Sequence, residues 1–406
     1  MKKADLHRTI HVGLSCGIAF LISFKFLLPI LIGALLVNII AEGKFKSKWD
    51  TAGEKPFLIL FSSIYFLYLV GMIYSTNSNY GWADLQTKLS LLLFPFIFFF
   101  QRTRETDSIK IKLSLILGVA FASIFLLARA IYFYFSKDVN YFFYVDFSYF
   151  LHPSYFGMAI NLAMILLLFK NNFPLSRFVQ VSLILFFTLI LILLSSKLAL
   201  ISTIMLFIVF AIQKIIQTKK YFIGISATIL ILASVLFALS KVPELNERVK
   251  NAIAALDTSQ IDKSNAESNA VRILVWDAAA KALAENPIAG VGTGDVKDEL
   301  FKQYQILGYT GALEHQLNAH NQFLQTGVAL GFPGLLLLLS GLLLPSLYAF
   351  KKNNFVFLAF AALVAINFLT ESMLEAEAGV IFIAFFHSFL FFTPTKELLN
   401  FTQKNI

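Results

Sequence analysis

Residues 322–350 read QFLQTGVALGFPGLLLLLSGLLLPSLYAF, a run without a single Asp, Glu, Lys or Arg. A helix needs about 20 mostly apolar residues to cross the hydrocarbon core of a bilayer, and this run exceeds that length. The rest of the chain is similar, because 58% of its 406 residues are hydrophobic and only 14% are charged. An average soluble domain has about 25% charged residues. The sequence therefore predicts an integral membrane protein and excludes a soluble or disordered one.

Comparable apolar runs recur along the chain and together predict twelve spans. They lie near 10–24, 26–41, 56–74, 87–101, 109–135, 153–170, 176–195, 198–213, 221–239, 322–350, 354–369 and 377–393. We therefore predict an all-α fold, a polytopic membrane helical bundle of about 12 transmembrane helices. The predicted organisation is residues 1–239 with spans one to nine, a large polar segment at 240–320, and residues 321–406 with the last three spans and a cytoplasmic tail.

The positions of the basic residues predict the orientation of this bundle. If the N-terminus is cytoplasmic, the inner connections contain most of the 33 Lys and Arg residues, whereas the short outer connections lean acidic or neutral. This alternation is the one that the positive-inside rule predicts. The net charge of +9 is thus mainly a topology signal, and we expect no nucleic-acid partner.

The polar segment 240–320 lies outside the cytoplasm in this topology, and its pattern is helical. Apolar residues at helical spacing predict one amphipathic helix over 245–256 and a second over 271–282, which Asn286-Pro287 ends. Asp295 is placed to cap a third helix that runs to about Leu307. Such helices beside a bundle typically lie along the membrane surface or cover a cavity.

Two residues of the polar segment are candidates for catalysis. His320 lies where this segment meets the tenth span, and an imidazole can take up a proton near neutral pH. Arg272 interrupts the apolar run of the second amphipathic helix, and a guanidinium can grip phosphate through two parallel hydrogen bonds. The alternatives are an interfacial histidine bonded to a backbone carbonyl and a surface arginine in a salt bridge.

Further charged and polar residues fall at span ends or inside spans. Lys197 stands between two apolar spans with almost no loop, and Arg129 lies inside the fifth span. Charges within a membrane are functional candidates by default, although a hairpin tip and a buried ion pair are the simpler explanations. His152 and Tyr155 begin the sixth span, where a proline in the first turn gives a structural explanation. Glu371 belongs to an acidic cluster that either faces the cations across a cavity or forms a solvated loop.

Other chemistry is not indicated. The single cysteine, Cys16, excludes an intramolecular disulfide and a cysteine metal cage. No Asp-x-Asp pair and no lysine-containing phosphate loop occur, so we expect neither a metal site nor a cofactor. Gly290-x-Gly292-x-Gly294 follows a predicted helix and a proline, whereas a dinucleotide site requires a preceding strand.

The stretch from Arg272 to Leu336 resembles the O-antigen ligase family, which also includes O-antigen polymerases and some protein O-glycosyltransferases. The matching residues are Arg272 with Trp276, Asn286-Pro287-Ile288-Ala289-Gly290-Val291-Gly292-x-Gly294, His320-Asn321-Gln322-Phe323-Leu324 and Gly331-Phe332-Pro333-Gly334-Leu335. The twelve-span layout with one large outer segment extends the similarity over the chain. The family typically has a Ser-Arg pair at the outer start of the eighth span, where this chain has Ser196-Lys197, which keeps the charge without the bidentate fork.

The resemblance implies a glycosyltransferase of the bacterial inner membrane with its active site facing the periplasm. It implies a donor glycan linked to undecaprenyl pyrophosphate, an acceptor hydroxyl on a lipid A–core sugar or another glycan, contact with membrane lipid, and inversion at the anomeric carbon without a metal. His320 and Arg272 take the catalytic roles in this prediction. The predicted substrate-binding residues are Lys197, Arg129, Asn321, His152, Tyr155 and Glu371.

Two alternatives remain open from the sequence. An O-antigen polymerase or a protein O-oligosaccharyltransferase of the same family would differ only in the acceptor. A polytopic transporter or flippase is a different class, and it would explain Arg129 and Lys88 as polar residues along a path. A transporter would also predict paired internal repeats, and the sequence contains none that we detect.

Overall fold

The computed structural model describes residues 3–24, 27–51, 53–169, 174–218, 262–264 and 269–393, and all regular structure within them is helical. In chain order the α-helices are α1 (Lys3–Leu21), α2 (Leu28–Glu42), α3 (Phe45–Thr51), α4 (Lys55–Gly71), α5 (Ser78–Lys88), α6 (Ser90–Phe100), α7 (Glu105–Lys137), α8 (Tyr144–Phe147), α9 (Pro153–Phe169), α10 (Arg177–Leu194), α11 (Lys197–Thr218), α12 (Asn269–Glu285), α13 (Val296–Leu307), α14 (Thr310–Glu314), α15 (Gln322–Lys351), α16 (Phe355–Phe368) and α17 (Glu377–Phe392). The predicted all-α class is therefore confirmed.

Many of these helices are apolar enough to cross a membrane. Within the described ranges, five helical stretches are also long enough: Lys55–Tyr74, Ser78–Phe100, Glu105–Lys137, Arg177–Leu194 and Gln322–Lys351. The second of these joins α5 and α6. Shorter apolar helices cover the predicted spans near 26–41, 153–170, 198–213, 354–369 and 377–393. The predicted ninth span, 221–239, and the first amphipathic helix lie outside the described residues. The count of twelve spans and the division at 239/240 and 320/321 stay predictions.

The chain forms two compact units, each built from separated stretches of sequence. Of the described residues, the first contains 3–24, 27–42, 103–169, 174–218 and 358–363, and the second contains 43–51, 53–102, 262–264, 269–357 and 364–393. In the first unit α1 packs on α2 and α7, while α9 packs against α7, α10 and α11. Nearly every residue of α9 is buried, as expected for a helix that is apolar on all sides. Its buried Asn161 is satisfied, since it donates to Ala199 O at 3.1 Å and accepts from Thr203 Oγ1 at 2.8 Å.

The second unit contains most of the segment that resembles a known family. Here α6 packs on α17 and α4, α4 packs on α15, and α12 packs on α13 and α15. The contact between α6 and α17 is largely aromatic, with Phe94 and Phe98 edge-on to Phe385 at centroid distances of 5.1 and 5.2 Å. Clusters of this kind explain why the chain uses 45 phenylalanines.

A break in α15 joins two of the sequence motifs within the second unit. Gly331 has a left-handed φ of 64°, and Pro333 has no N–H to donate to Ala329 O. The carbonyls of Val328 and Ala329 instead accept from the N–H groups of Val291 and Gly292 at 2.9 and 3.0 Å. The glycine-rich turn thus supplies the donors that the broken helix lacks, which matters because an unpaired carbonyl is costly in a membrane.

Candidate active site

The carboxylate of Glu371 brings the two predicted catalytic residues together. Arg272 Nη2 donates to Glu371 Oε1 at 2.6 Å, and His320 Nδ1 lies 3.2 Å from Glu371 Oε2. The Glu371 side chain is 11% exposed, whereas those of Arg272 and His320 are 31% and 24% exposed. Each cation-forming group therefore contacts one oxygen of a buried carboxylate and keeps part of its surface accessible. We call Arg272, His320 and Glu371 the bridged triad.

The backbone of His320 is held in an unusual conformation. Its φ of 44° lies in the left-handed region, which a residue with a side chain rarely adopts. The strain is compensated on both sides of the residue, because His320 N donates to Asn318 Oδ1 at 2.9 Å and His320 O accepts from Trp276 Nε1 at 3.2 Å. Trp276 lies one helical turn after Arg272 on the same face of α12. This face therefore carries Arg272 and, through Trp276, also positions His320.

Asn321 connects the start of α15 to the chain that carries Glu371. Its Oδ1 accepts from the N–H groups of Phe323 and Leu324 at 2.9 and 3.1 Å, which caps the helix. Its Nδ2 donates to Leu369 O at 3.0 Å, and its own N–H donates to Ser372 Oγ at 3.2 Å. The geometry gives Asn321 a structural role, and its predicted role in substrate binding stays a prediction.

The acidic cluster near 371–377 divides into three environments. Glu371 is in the bridged triad, and Glu377 is exposed at the first residue of α17. Glu375 accepts from the fully buried ammonium of Lys88 at 2.9 Å, and Lys88 also contacts Asp84 one turn earlier on α5. Of the three glutamates, only Glu377 is solvated as the acidic-loop alternative expects. Glu371 contacts Arg272 directly, and Glu375 contacts Lys88.

Asp295 anchors the glycine-rich turn to the connection between α4 and α5. It stands at the predicted start of α13, but its side chain makes no cap bond to that helix. Instead its carboxylate accepts from Thr76 N at 2.8 Å, Thr76 Oγ1 at 2.9 Å and Asn77 N at 2.7 Å. Partial burial would raise the pKa of Asp295, but these hydrogen bonds outweigh it and hold the pKa below its usual range.

The remaining candidate residues belong to the first unit. Lys197 is the first residue of α11, separated from Leu194 at the end of α10 by Ser195 and Ser196 only. The tight hairpin predicted around Lys197 is therefore present. Ser195 makes the turn with a left-handed φ of 48°. A place at the tip of the hairpin explains why a lysine stands between two apolar helices. A substrate-binding role for Lys197 stays a prediction.

Arg129 is surrounded by aromatic rings near the end of α7. Its guanidinium carbon lies 4.6 Å from the ring centroid of Tyr141, 4.9 Å from that of Tyr149 and 5.4 Å from that of Phe133. Its Nη1 also donates to Asp146 O at 2.7 Å. These contacts tie the connection after α7 to the helix, where the sequence had suggested a pair with a carboxylate.

His152 and Tyr155 lie at the start of α9, with Pro153 as the first helical residue, as predicted. His152 O accepts from Tyr155 N at 3.0 Å, and the two rings are 6.3 Å apart edge to face. The start signal thus has the expected structural basis. A role of either side chain in binding substrate is untested by these contacts.

Two features of the site were not foreseen from the sequence. One is the role of Glu371 as the bridge, and the other is the burial of Lys88 with two carboxylates. The three side chains of the bridged triad are separated by up to 99 residues, so no local pattern could link them. The only available signal for Lys88 was a lysine at the edge of an apolar run.

The comparisons agree with the motifs that carried the resemblance. The family model described as O-Antigen ligase matches residues 181–339. This range includes Lys197, Arg272, His320 and Asn321, whereas Glu371 lies beyond it. No curated protein matches the chain.

Proposed function

Because its residues 181–339 match the O-antigen ligase family, as the motifs indicated, we propose that this protein transfers a glycan from undecaprenyl pyrophosphate to a sugar hydroxyl of lipid A–core. The family supports a membrane glycosyltransferase of the ligase or polymerase type. The bridged triad is the observation that carries the finer proposal, since it unites a base, its orienting carboxylate and a phosphate-binding cation. We place the protein in the bacterial inner membrane with the triad facing the periplasm, and the basic inner connections support this orientation.

His320 acts as the general base in this proposal. A proton on Nδ1 is donated to Glu371 Oε2, which leaves Nε2 as the acceptor for the proton of the attacking hydroxyl. A carboxylate in this position fixes the tautomer and stabilises the imidazolium that forms, as in other histidine-dependent transferases and hydrolases. The Asn318 and Trp276 side chains bond to the backbone N–H and C=O of His320 and so fix the position from which its ring extends.

Arg272 stabilises the leaving group. The bond between the anomeric carbon and the phosphate oxygen breaks as the acceptor oxygen attacks from the opposite face, so the configuration inverts. The departing pyrophosphate is a stable anion that needs charge stabilisation but no proton, and a fixed guanidinium supplies it. Arg272 Nη2 donates to Glu371 Oε1 at 2.6 Å, which holds the guanidinium in one orientation. Less side-chain conformational entropy is then lost when the donor binds.

An apolar cavity in the second unit has walls that suit the lipid part of the donor. The walls of this cavity include Leu60, Leu338, Leu342, Phe368 and Leu374. Phe368 and Leu374 stand on either side of Glu371 in sequence. A polyprenyl tail held here would leave its pyrophosphate beside the polar residues at 371–375, and the apolar walls would exclude water that could hydrolyse the donor.

The proposal is tested by gene deletion and complementation. We expect the deletion to abolish one linkage of glycan to lipid A–core, and His320→Ala or Arg272→Ala to fail to restore it. Removing a general base typically costs about 10²- to 10⁴-fold in rate, so little linked glycan should form. His315→Ala and Lys281→Ala are matched controls, because both residues are exposed and lie close in sequence to the residues they match.

Equal amounts of each variant in the membrane, measured by immunoblot, separate loss of chemistry from loss of protein. Normal linkage with His320→Ala would remove the base assignment. If the deletion strain keeps lipid A–core linkage but makes only single glycan units, the protein is a polymerase. Loss of glycoprotein alone would indicate a protein O-oligosaccharyltransferase, and retention of the unlinked donor on the cytoplasmic leaflet would indicate a flippase.

A further inference from the structure

The ion cluster around Lys88 is the most unusual feature that the proposed function leaves unexplained. The Lys88 side chain is fully buried, and it contacts Asp84 and Glu375, whose side chains are 8% and 12% exposed. The ammonium also lies 4.8 Å from the ring centroid of Tyr68. Burying three charges is expensive, and replacing such clusters by apolar residues is often neutral or stabilising. Stability of the fold is therefore a weak explanation for this cluster.

The cluster is connected to the chain segment 371–375, which carries Glu371. Besides the Lys88–Glu375 pair, Leu374 N donates to Gln322 Oε1 at 2.6 Å and Ser372 Oγ accepts from Asn321 N at 3.2 Å. Gln322 in turn donates to Thr326 Oγ1, whose hydroxyl lies 3.2 Å from the buried Tyr68 hydroxyl. Segment 371–375 is thus held at Ser372 and Leu374 by the start of α15 and at Glu375 by Lys88. Among the described residues, Lys88 is its only charged contact to α5.

We infer that the buried pair between Lys88 and Glu375 is a positioning device for the proposed transfer, holding segment 371–375 so that Glu371 contacts both Arg272 and His320. The inference rests on the proposed function. Glu375 is four residues from Glu371, and a short 3₁₀ turn at Met373–Glu375 links them, so a shift of Glu375 is transmitted over little intervening chain. A misplacement of about 1 Å at a catalytic group can cost about 100-fold in rate.

The two carboxylates that share Lys88 provide a matched pair of variants. The cluster holds one amino group and two carboxyl groups, so removal of either carboxyl group leaves one acidic partner for Lys88. Both Glu375→Ala and Asp84→Ala should therefore fold. Only Glu375→Ala removes the contact between Lys88 and segment 371–375, because Asp84 belongs to the same helix as Lys88. A positioning role predicts different rates for the two variants, and a purely structural role predicts similar ones.

The measurement is glycan transfer by the full-length protein in lipid nanodiscs. Donor lipid extracted from the deletion strain and acceptor membranes of that strain are the probes. We expect Glu375→Ala to lower kcat about 10- to 100-fold with little change in the KM for donor, and Asp84→Ala to stay within about twofold. Glu375→Gln, which keeps a neutral acceptor for the ammonium, should recover part of the rate. Hydrogen exchange at the amides of 371–375 should rise in Glu375→Ala alone.

A double-mutant cycle with Glu371→Gln completes the test. If Lys88 and Glu375 act through Glu371, adding Glu375→Ala to Glu371→Gln lowers the rate little further. Equal losses in Glu375→Ala and Asp84→Ala, or fully multiplicative losses in the cycle, would overturn the inference. Undiminished transfer by Glu371→Gln and His320→Ala would overturn the proposed function instead, so the two failures are distinguishable.

Discussion

At the scale of single residues, the chemistry of the site depends on one carboxylate with two different neighbours. Glu371 is nearly buried, and its oxygens are divided between a guanidinium and an imidazole. Burying a carboxylate without such partners would cost free energy, so the two contacts stabilise the buried Glu371. Glu371 in turn orients the Arg272 and His320 side chains. The same residue therefore couples the position of the proposed base, His320, to the position of the proposed phosphate-binding cation, Arg272.

Glu371→Gln tests this coupling. The amide keeps the shape of the side chain but removes the charge that stabilises an imidazolium, and it presents an N–H group to one of the two neighbours. We expect transfer to fall about 10²- to 10⁴-fold, measured with extracted donor lipid and acceptor membranes. Glu377→Gln is the control, because Glu377 is exposed in the same acidic cluster. A rate for Glu371→Gln equal to that of the control would contradict the orienting role.

Lys197 allows a separate test of charge against geometry. It occupies the place where the family typically has arginine, at the first residue of α11. If a positive charge is sufficient there, Lys197→Arg should keep the transfer rate, while Lys197→Ala should lower it at least about tenfold. Both variants should reach the membrane in equal amounts. Full activity of Lys197→Ala would mean that Lys197 has no role in transfer and only a structural role in the hairpin between α10 and α11.

Residue roles were only partly predictable from the sequence. His320 and Arg272 could be singled out because a titratable group at a span boundary and an arginine in an apolar run are unusual. Glu371 could be placed in an acidic cluster but not assigned its partners, which lie 51 and 99 residues away. Asn321 was predicted to bind substrate, and its cap and tether bonds could be known only once α15 and segment 371–375 were in place.

At the scale of elements, two sequence motifs prove to be parts of one backbone arrangement. The turn at 286–292 and the break of α15 at Gly331 exchange hydrogen bonds in both directions, since Phe332 N donates to Pro287 O at 2.7 Å. The glycines of both motifs thus have a steric and hydrogen-bonding explanation.

Gly331→Ala should break this arrangement. A Cβ at Gly331 would lie 2.6 Å from Pro287 O and 2.7 Å from Ile288 O, in a left-handed conformation that alanine disfavours. We expect a loss of about 2 kcal/mol or more in stability, seen as a lower Tm of the purified protein in detergent. Gly341→Ala is the control in the same helix, because a Cβ there meets no atom within 4 Å. Equal Tm values for the two variants would contradict the explanation.

Asp295→Asn should destabilise the anchor between the glycine-rich turn and the start of α5. Its pKa is lowered in the folded protein, so its contribution is fully present above the ordinary carboxyl pKa of about 3.9 and is lost as the pH falls through the lower folded value. We expect a lower Tm for Asp295→Asn at pH 7, by an amount equivalent to about 1–3 kcal/mol.

The difference in Tm between the unchanged protein and Asp295→Asn should shrink below about pH 4. Asp50→Asn, which alters an exposed carboxylate on α3, should show no difference at either pH. A gap that stays constant down to pH 3 would mean that the anchor does not depend on the charge of Asp295.

Elements were easier to predict than the contacts between them. Apolar runs located α7, α10 and α15 because a membrane span has a minimum length, and Asn286-Pro287 marked the end of α12. The start of α13 was also correct, yet the Asp295 side chain bonds to Thr76 and Asn77, 219 and 218 residues away. Nothing near Asp295 in sequence distinguishes these partners from the local cap.

At the scale of the whole molecule, the proposed chemistry requires a fixed orientation in the membrane. A glycan donor presented at the periplasmic face can be used only if the polar segment that carries Arg272 and leads into His320 lies on that side. The asymmetry of basic residues favours this orientation, because the connection at 43–55 is rich in lysine and the outer ones are not.

Cysteine labelling tests the orientation directly. The single native cysteine permits a Cys16→Ser background, to which Glu314→Cys in the polar segment or Lys46→Cys in α3 is added. Both positions are exposed. We expect a membrane-impermeant maleimide to label Glu314→Cys in intact spheroplasts and Lys46→Cys only after lysis, because a charged reagent does not cross the bilayer. The reverse pattern would place the bridged triad on the cytoplasmic side, where the proposed transfer to lipid A–core at the periplasmic face could not take place.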